Sequence, residues 1–264
     1  MSELMILKVG GSVITDKHSE QPKVDFSNLN RLADEIAKAR PERLIFMHGA
    51  GSYGHVIVKK SGIGQGIRNR EQILAFAETQ RLQNELDSIV CKALIERGVP
   101  AIPCQASSTA VMDKGRLVKM DTDAIAGMLE TGLVPVLYGV PAYDRDQKCS
   151  ILSADQIAPY LALKLGAKKI IHGTNVDGVF TGDPNKNPDA KLIPEITSKN
   201  FDQVRQWLTG SNAVDVTGGM FGKVYECMEA AKNGVESLLV NAIKKNYVRK
   251  ALAGEKVVGT VIKA

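Results

Sequence analysis

Two short apolar runs that break directly into glycine constrain this chain more than any other feature. They are Ile6-Leu7-Lys8-Val9-Gly10-Gly11-Ser12 and His48-Gly49-Ala50-Gly51-Ser52-Tyr53-Gly54-His55 with the strand-like residues before it. Continuous apolar runs bounded by breakers read as strands buried on both faces of a sheet. Glycine lets the backbone approach a ligand closely and adopt φ values that other residues avoid. Consecutive N–H groups in such turns form an anion-binding concavity, and a following helix N-terminus deepens it. Two such loops facing each other outline a cleft for two phosphate groups.

Strand and helix signals alternate along the rest of the chain. Residues 5–9 and 43–48 read as strands, and 27–40 as an amphipathic helix with Leu29, Leu32 and Ile36 on one face. Residues 71–97 carry apolar side chains at helical spacing until Gly98 and Pro100 stop them. Short runs at 101–105 and 134–138 follow, separated by a hairpin signal at Asp113-Lys114-Gly115. The second half repeats the grammar, with helices at 154–165 and 222–232 and strands at 169–172 and 237–240. Strands separated by helix-length segments predict a mainly parallel sheet covered on both faces, an open αβα sandwich. Ligands then collect at the carboxyl ends of the strands, where the glycine turns lie. No stretch rich enough in Pro, Gly or Ser separates independent domains. The 264 residues read as one domain with two lobes, about 1–150 and about 151–264.

Charge and cysteine usage narrow the function. A net charge of +5, spread through the sequence, suits small anionic ligands better than a nucleic-acid groove. Cys91, Cys104, Cys149 and Cys227 show no C-x-x-C and no neighbouring histidine, which argues for thiols in a reducing compartment rather than zinc or disulfides. No apolar run approaches the roughly 18 residues of a membrane span. The expectation is a cytoplasmic protein with no membrane and no nucleic-acid partner.

Lys8 stands before the Gly10-Gly11-Ser12 turn, where a phosphate contact competes with a strand-end lysine in water. The loop is neither a G-x-x-x-x-G-K-[ST] phosphate loop nor a G-x-G-x-x-G dinucleotide turn. His55 closes the denser second nest, where an imidazole can donate to a phosphate and carry partial positive charge near neutrality. His18, His48 and His172 read as structural. Ser153 is placed to cap a helix. Asp155 can favour that helix dipole or hold lysines in place, and the residues alone leave both open. Gly173-Thr174-Asn175-Val176-Asp177-Gly178-Val179 and Thr181-Gly182-Asp183-Pro184 are turn signals, and Thr217-Gly218-Gly219-Met220 before Lys223 describes another phosphate seat.

Together these segments resemble the amino acid kinase superfamily over nearly the whole chain. The marks are Lys8-Val9-Gly10-Gly11-Ser12, Ser153-Ala154-Asp155-Gln156-Ile157, Asn175-Val176-Asp177-Gly178-Val179 and Asp215-Val216-Thr217-Gly218-Gly219-Met220 with Lys223. The loop Gly49-Ala50-Gly51-Ser52-Tyr53-Gly54-His55 is similar to the histidine-bearing loop of its isopentenyl phosphate kinase branch, with Ala50 and Tyr53 where glycine and phenylalanine are commoner. The resemblance implies a kinase with an N-terminal acceptor lobe, a C-terminal ATP lobe, and isopentenyl phosphate (with dimethylallyl phosphate a possible second acceptor) as substrate. It implies catalytic roles for Lys8, Lys17, His55, Asp155 and Lys223. Gly10, Gly11, Ala50, Gly51, Ser52, Tyr53, Gly54, His55 and Gly139 would meet the acceptor. Lys8, Gly10, Ser12, Gly51, Asp155, Thr174, Asn175, Asp177, Gly178, Val179, Gly218, Gly219 and Lys223 would meet ATP. Mg²⁺ is expected to arrive with ATP, no residue being expected to ligate a metal, and a homodimer is implied. Ile73, Phe76 and Ala77 are candidate walls for a prenyl tail. A uridylate, carbamate or fosfomycin kinase is the alternative within the superfamily, and a non-catalytic nucleotide or oxyanion binder the alternative outside catalysis.

Overall fold

The structure, a computed structural model, describes residues 3–16, 19–184, 186–209 and 219–264. Strand β1 (Leu4–Val9) runs into Gly10 and one helical turn, α1 (Gly11–Ile14), followed by α2 (Phe26–Ala39), β2 (Arg43–His48), α3 (His55–Ser61) and α4 (Arg70–Ile95). Strand β3 (Ala101–Pro103) precedes a hairpin of β4 (Ala110–Asp113) and β5 (Arg116–Met120), then α5 (Asp123–Glu130) and β6 (Val134–Tyr138). A second hairpin pairs β7 (Val140–Ala142) with β8 (Ser150–Leu152), and α6 (Ala154–Leu165) leads to β9 (Lys169–Thr174). Short strands β10 (Val179–Phe180), β11 (Leu192–Ile193) and β12 (Glu195–Ile196) come next, then α7 (Phe201–Thr209), α8 (Gly219–Lys232), β13 (Glu236–Asn241), α9 (Tyr247–Leu252) and β14 (Gly259–Ile262).

Among the described residues the main sheet has eight strands in the order β12-β14-β13-β9-β1-β2-β6-β3. Every neighbouring pair is parallel except β13 with β14. β1, β2 and β6 are nearly continuous apolar runs because both of their faces are covered. On one face α2, α4 and α9 pack Leu29, Leu32, Leu86, Val90 and Val248 against Leu7, Val9 and Phe46. On the other, α5 and α6 bring Ile125, Leu129, Ile157 and Leu161 against Ile6, Ile45 and Leu137. This is the αβα sandwich that the alternating pattern predicts.

The helix boundaries follow their capping chemistry. The Asp25 side chain accepts from Asn28 N–H at the start of α2, and Asn69 does the same for Gln72 at the start of α4. Gly166, in the left-handed region at φ 78°, ends α6. β1 is central, with β2 on one side and β9 on the other. The chain therefore reverses direction across the sheet at β1, and the crevice beyond its carboxyl end is where an open α/β sheet receives ligands.

Candidate active site

The two glycine loops meet beyond β1 and β2. Gly10 N–H donates to the Gly173 carbonyl at 2.9 Å, and Gly49 N–H donates to the Val9 carbonyl at 2.9 Å. A Cβ on Gly11 would lie 2.2 Å from the backbone nitrogen of Gly51, so only glycine lets these loops touch. Gly51 itself sits at φ +52°, with the Thr15 hydroxyl 2.0 Å from where its Cβ would be. Thr15 Oγ1 is thereby free to accept from Ser52 N–H at 3.1 Å, locking the second loop onto the end of α1.

At the junction stands a charged triad. Lys8, only 5 % exposed, places its ammonium 2.9 Å from Asp155 Oδ1 and 3.0 Å from Oδ2. Lys223, from the first turns of α8, donates to the same Oδ1. Asp155 reaches this point because Ser153 caps α6, its hydroxyl accepting from Asp155 N–H at 3.1 Å. Both readings of Asp155 hold at once: it lies in the first turn of α6 and pairs with two lysines. Burial alone would raise the Asp155 carboxyl, but Lys223 and Lys8 hold it well below the usual carboxylate range. Burial, with Lys223 adding to it, lowers Lys8 to about 8 against the pull of Asp155. For Lys223 the same burial is outweighed by Asp155, and its ammonium is held above the ordinary lysine value. Two cations thus share one anion, leaving net positive charge.

Two chambers meet at the Lys8–Asp155 pair of this triad. The larger, about 590 Å³, runs from Gly10, Ser12, Gly51 and Ser52 past Thr174, Asn175 and Gly178 to an outer wall of Phe180, Pro184, Trp207 and Met220. The smaller, about 230 Å³, is bounded by Gly49, Ala50, Gly54 and Gly139 and backed by Val58, Val140, Pro141 and Ile151. Lys8, Gly11, His55 and Asp155 line both. His55 opens α3 between them, and burial, then Lys8, lowers its pKa. Both influences disfavour the charged form of the imidazole; as a neutral ring it still has one N–H to donate.

Most residues expected at the site line one of these chambers: Gly219 and Lys223 the larger, Gly139 the smaller. Three do not. Asp177 turns away, its carboxylate accepting from Asn241 at 3.0 Å and Lys244 at 2.8 Å. The side chain of Val179 is in the apolar core beside α8, and that of Tyr53 packs beneath the loop against the α2–α4 layer. The strand period aims Val179 inward and the tight glycine turn does the same for Tyr53. Lys17 and Gly218 lie outside the described residues. Ile73 is 54 % exposed, and neither it nor Phe76 or Ala77 lines the small chamber; α4 contributes Thr79 instead. Phe180 and Met220 stand at the ends of turn motifs with no wall role expected of them, and Trp207 is not singled out, because a single apolar residue at a cleft carries no periodic signal.

The family model that matches, described as the amino acid kinase family, spans residues 3–241. The chain is similar to an isopentenyl phosphate kinase of Methanothermobacter thermautotrophicus, 43 % identical over 98 % of each chain. One from Methanocaldococcus jannaschii is 37 % identical, again over 98 % of both. A crystal structure of an isopentenyl phosphate kinase superposes with a TM-score of 0.88 at 40 % identity, covering 98 % of this chain and 100 % of that one.

Proposed function

The chain belongs to the amino acid kinase family, and from that premise we propose that it transfers the γ-phosphoryl group of ATP to isopentenyl phosphate, forming isopentenyl diphosphate. The observation that carries this reading is the meeting of two chambers at the Lys8–Asp155 pair, with Lys223 bound to the same carboxylate on the side of the larger chamber. A transfer between two phosphate-bearing substrates needs the donor and the acceptor to approach from opposite sides of a shared cationic point. The larger chamber has the length and the aromatic outer wall for a nucleotide. The smaller pairs a glycine nest with an apolar back, which suits a phosphate on a short hydrocarbon tail.

The acceptor's nucleophile is a phosphate oxygen, already anionic at neutral pH, so no general base is required. Asp155, held ionised by two ammonium groups, is a poor base and a good anchor. The obstacle is bringing two anions together, which positioning and preorganised positive charge overcome. In this reading Lys8 and Lys223 neutralise charge on the transferring group, and the loop N–H groups not already donated within the protein, such as those of Gly11, Ser12 and Ala50, cradle the phosphates. His55 donates its N–H to the acceptor phosphate. An arriving phosphate acts on His55 in the direction opposite to Lys8 and favours the charged imidazolium.

Mg²⁺ fits here as a companion of ATP. No group of three His, Cys, Asp or Glu side chains poised to hold a metal occurs among the described residues. Mg²⁺ binds substrate phosphates while keeping several waters, and the oxygens of Ser12 and Asp155 would face its water shell. Its chemistry would be to neutralise part of the nucleotide's charge. The two-lobe division, the homodimer and the cytoplasmic setting belong to the same reading; no helix among the described residues is long and apolar enough to cross a membrane.

ADP release from Mg²⁺-ATP, compared across isopentenyl phosphate, dimethylallyl phosphate, fosfomycin and uridylate, tests the proposal. Turnover is expected on isopentenyl phosphate, alone or with its isomer. Turnover confined to fosfomycin or uridylate would overturn the acceptor assignment.

A further inference from the structure

Beneath the triad lies a buried histidine that the reaction above does not use. His172 is the register partner of Lys8 across the parallel β1–β9 pair, so both side chains leave the sheet on the same face. It is 1 % exposed. Its Nδ1 stands 3.6 Å from Asp155 Oδ1 and has no hydrogen-bond partner of its own. Its Nε2 lies 3.3 Å from Cys227 Sγ on α8, one helical turn beyond Lys223.

The chemistry of these neighbours selects one tautomer. Burial pushes the Cys227 thiol up to about 12, so it keeps its proton and is a donor. Burial, reinforced by Lys223 and Lys8, lowers His172 to about 4, so the ring is neutral and has a single N–H. A lone pair on Nδ1 would face the Asp155 carboxylate, acceptor against acceptor. A proton on Nδ1 faces it as a donor and leaves Nε2 to accept from the thiol. Lys8 and Lys223 must turn part of their attention to phosphate whenever substrate binds. A neutral donor from beneath is the contact on Asp155 that an incoming anion does not compete for.

We propose that His172 is a positioning residue, its Nδ1–H steering Asp155 while the Cys227 thiol fixes the tautomer. This rests on the kinase reading for its kinetic consequence, but not for its tautomer.

The test compares His172→Asn with His172→Gln. Asparagine places its amide near the Nδ1 position, glutamine near Nε2. His172→Asn is expected to keep kcat within about threefold of wild type. His172→Gln is expected to lose about tenfold or more, since misplaced positioning groups cost on that scale, with KM for both substrates and the thermal midpoint matching the asparagine variant. Equal loss in the two variants would make His172 a packing residue and overturn the proposal. Long-range 15N–1H NMR of the wild-type chain reads the tautomer without any substrate. Nδ1–H is expected, and Nε2–H would overturn the proposal whatever the kinetics. A wild-type chain inactive on isopentenyl phosphate with the Nδ1–H tautomer would overturn the function above and leave this arrangement standing.

Discussion

His55 and Lys8 touch both chambers, and each carries a separable prediction. His55→Ala removes the donor proposed for the acceptor phosphate. Turnover should fall by about 10²-fold, as for loss of one preorganised donor, while ATP binding measured by calorimetry stays near wild type. Loss of ATP affinity would move His55 to the nucleotide side. Lys8→Ala should slow transfer by about 10²-fold or more if its ammonium meets developing charge. The pH dependence has a definite sign. Lys8 acts as a cation and is lowered to about 8 from the usual 10.5, so kcat/KM should fall as pH rises through about 8 rather than near 10.5. Bound phosphate stabilises the ammonium, so the alkaline limb of kcat should lie at higher pH than that of kcat/KM. A flat profile up to pH 10 would contradict the role of Lys8.

The elements set the fine spacing of the site. α1 and the Gly49–Gly54 loop are in backbone contact through Gly11, where an added Cβ would sit 2.2 Å from Gly51 N. Backbone cannot swing aside as a side chain does. Gly11→Ala should therefore cost about 1–3 kcal/mol of stability and most of the turnover. Gly127→Ala, inside α5 with nothing within 4 Å of its new Cβ, should instead stabilise by about 0.5–1 kcal/mol; urea unfolding of both variants decides the point. At the far end of the cleft α7 presents Trp207, the chain's one tryptophan, 40 % exposed beside Leu208. If a purine ring lies there, ATP should change the intrinsic fluorescence. Trp207→Ala should then raise KM for ATP by about 3- to 10-fold, the worth of one aromatic contact, and leave the acceptor KM unchanged. An unresponsive fluorescence would place the base elsewhere. These elements were unequally legible in the chain. β2, α2 and α6 stand almost where apolar spacing and capping residues put them, because burial on both faces or on one stripe writes a period into the sequence. Asp177 reads only as part of a turn and is set beside ATP by the resemblance alone, whereas Asn241 and Lys244 hold its carboxylate; those partners are more than sixty residues distant and leave no local trace.

At the scale of the whole molecule, topology does what no segment does alone. Strands from both halves of the chain meet at the β1–β9 seam, so the triad takes Lys8 from the first strand, Asp155 from α6 and Lys223 from α8. The small chamber likewise gathers Val58 from α3, Thr79 from α4 and Val140 and Ile151 from a hairpin. The glycine loops and the lysine beside them were readable because backbone approach demands particular residues at particular positions. The apolar walls and the His172–Cys227 support were not, since any apolar or small buried residue satisfies the local pattern and only the assembled fold gives it a neighbour. The first hairpin is also tied to α8: Arg116 forms a forked pair with Glu226, about one turn beyond Lys223. In the reaction proposed, a phosphoryl group passes onto an existing phosphate. Following isopentenyl phosphate and Mg²⁺-ATP with the wild-type chain by 31P NMR tests it most directly. The monophosphate resonance is expected to give way to the paired resonances of a diphosphate ester in step with ADP. Release of inorganic phosphate with the monophosphate untouched, or no consumption of ATP at all, would contradict it.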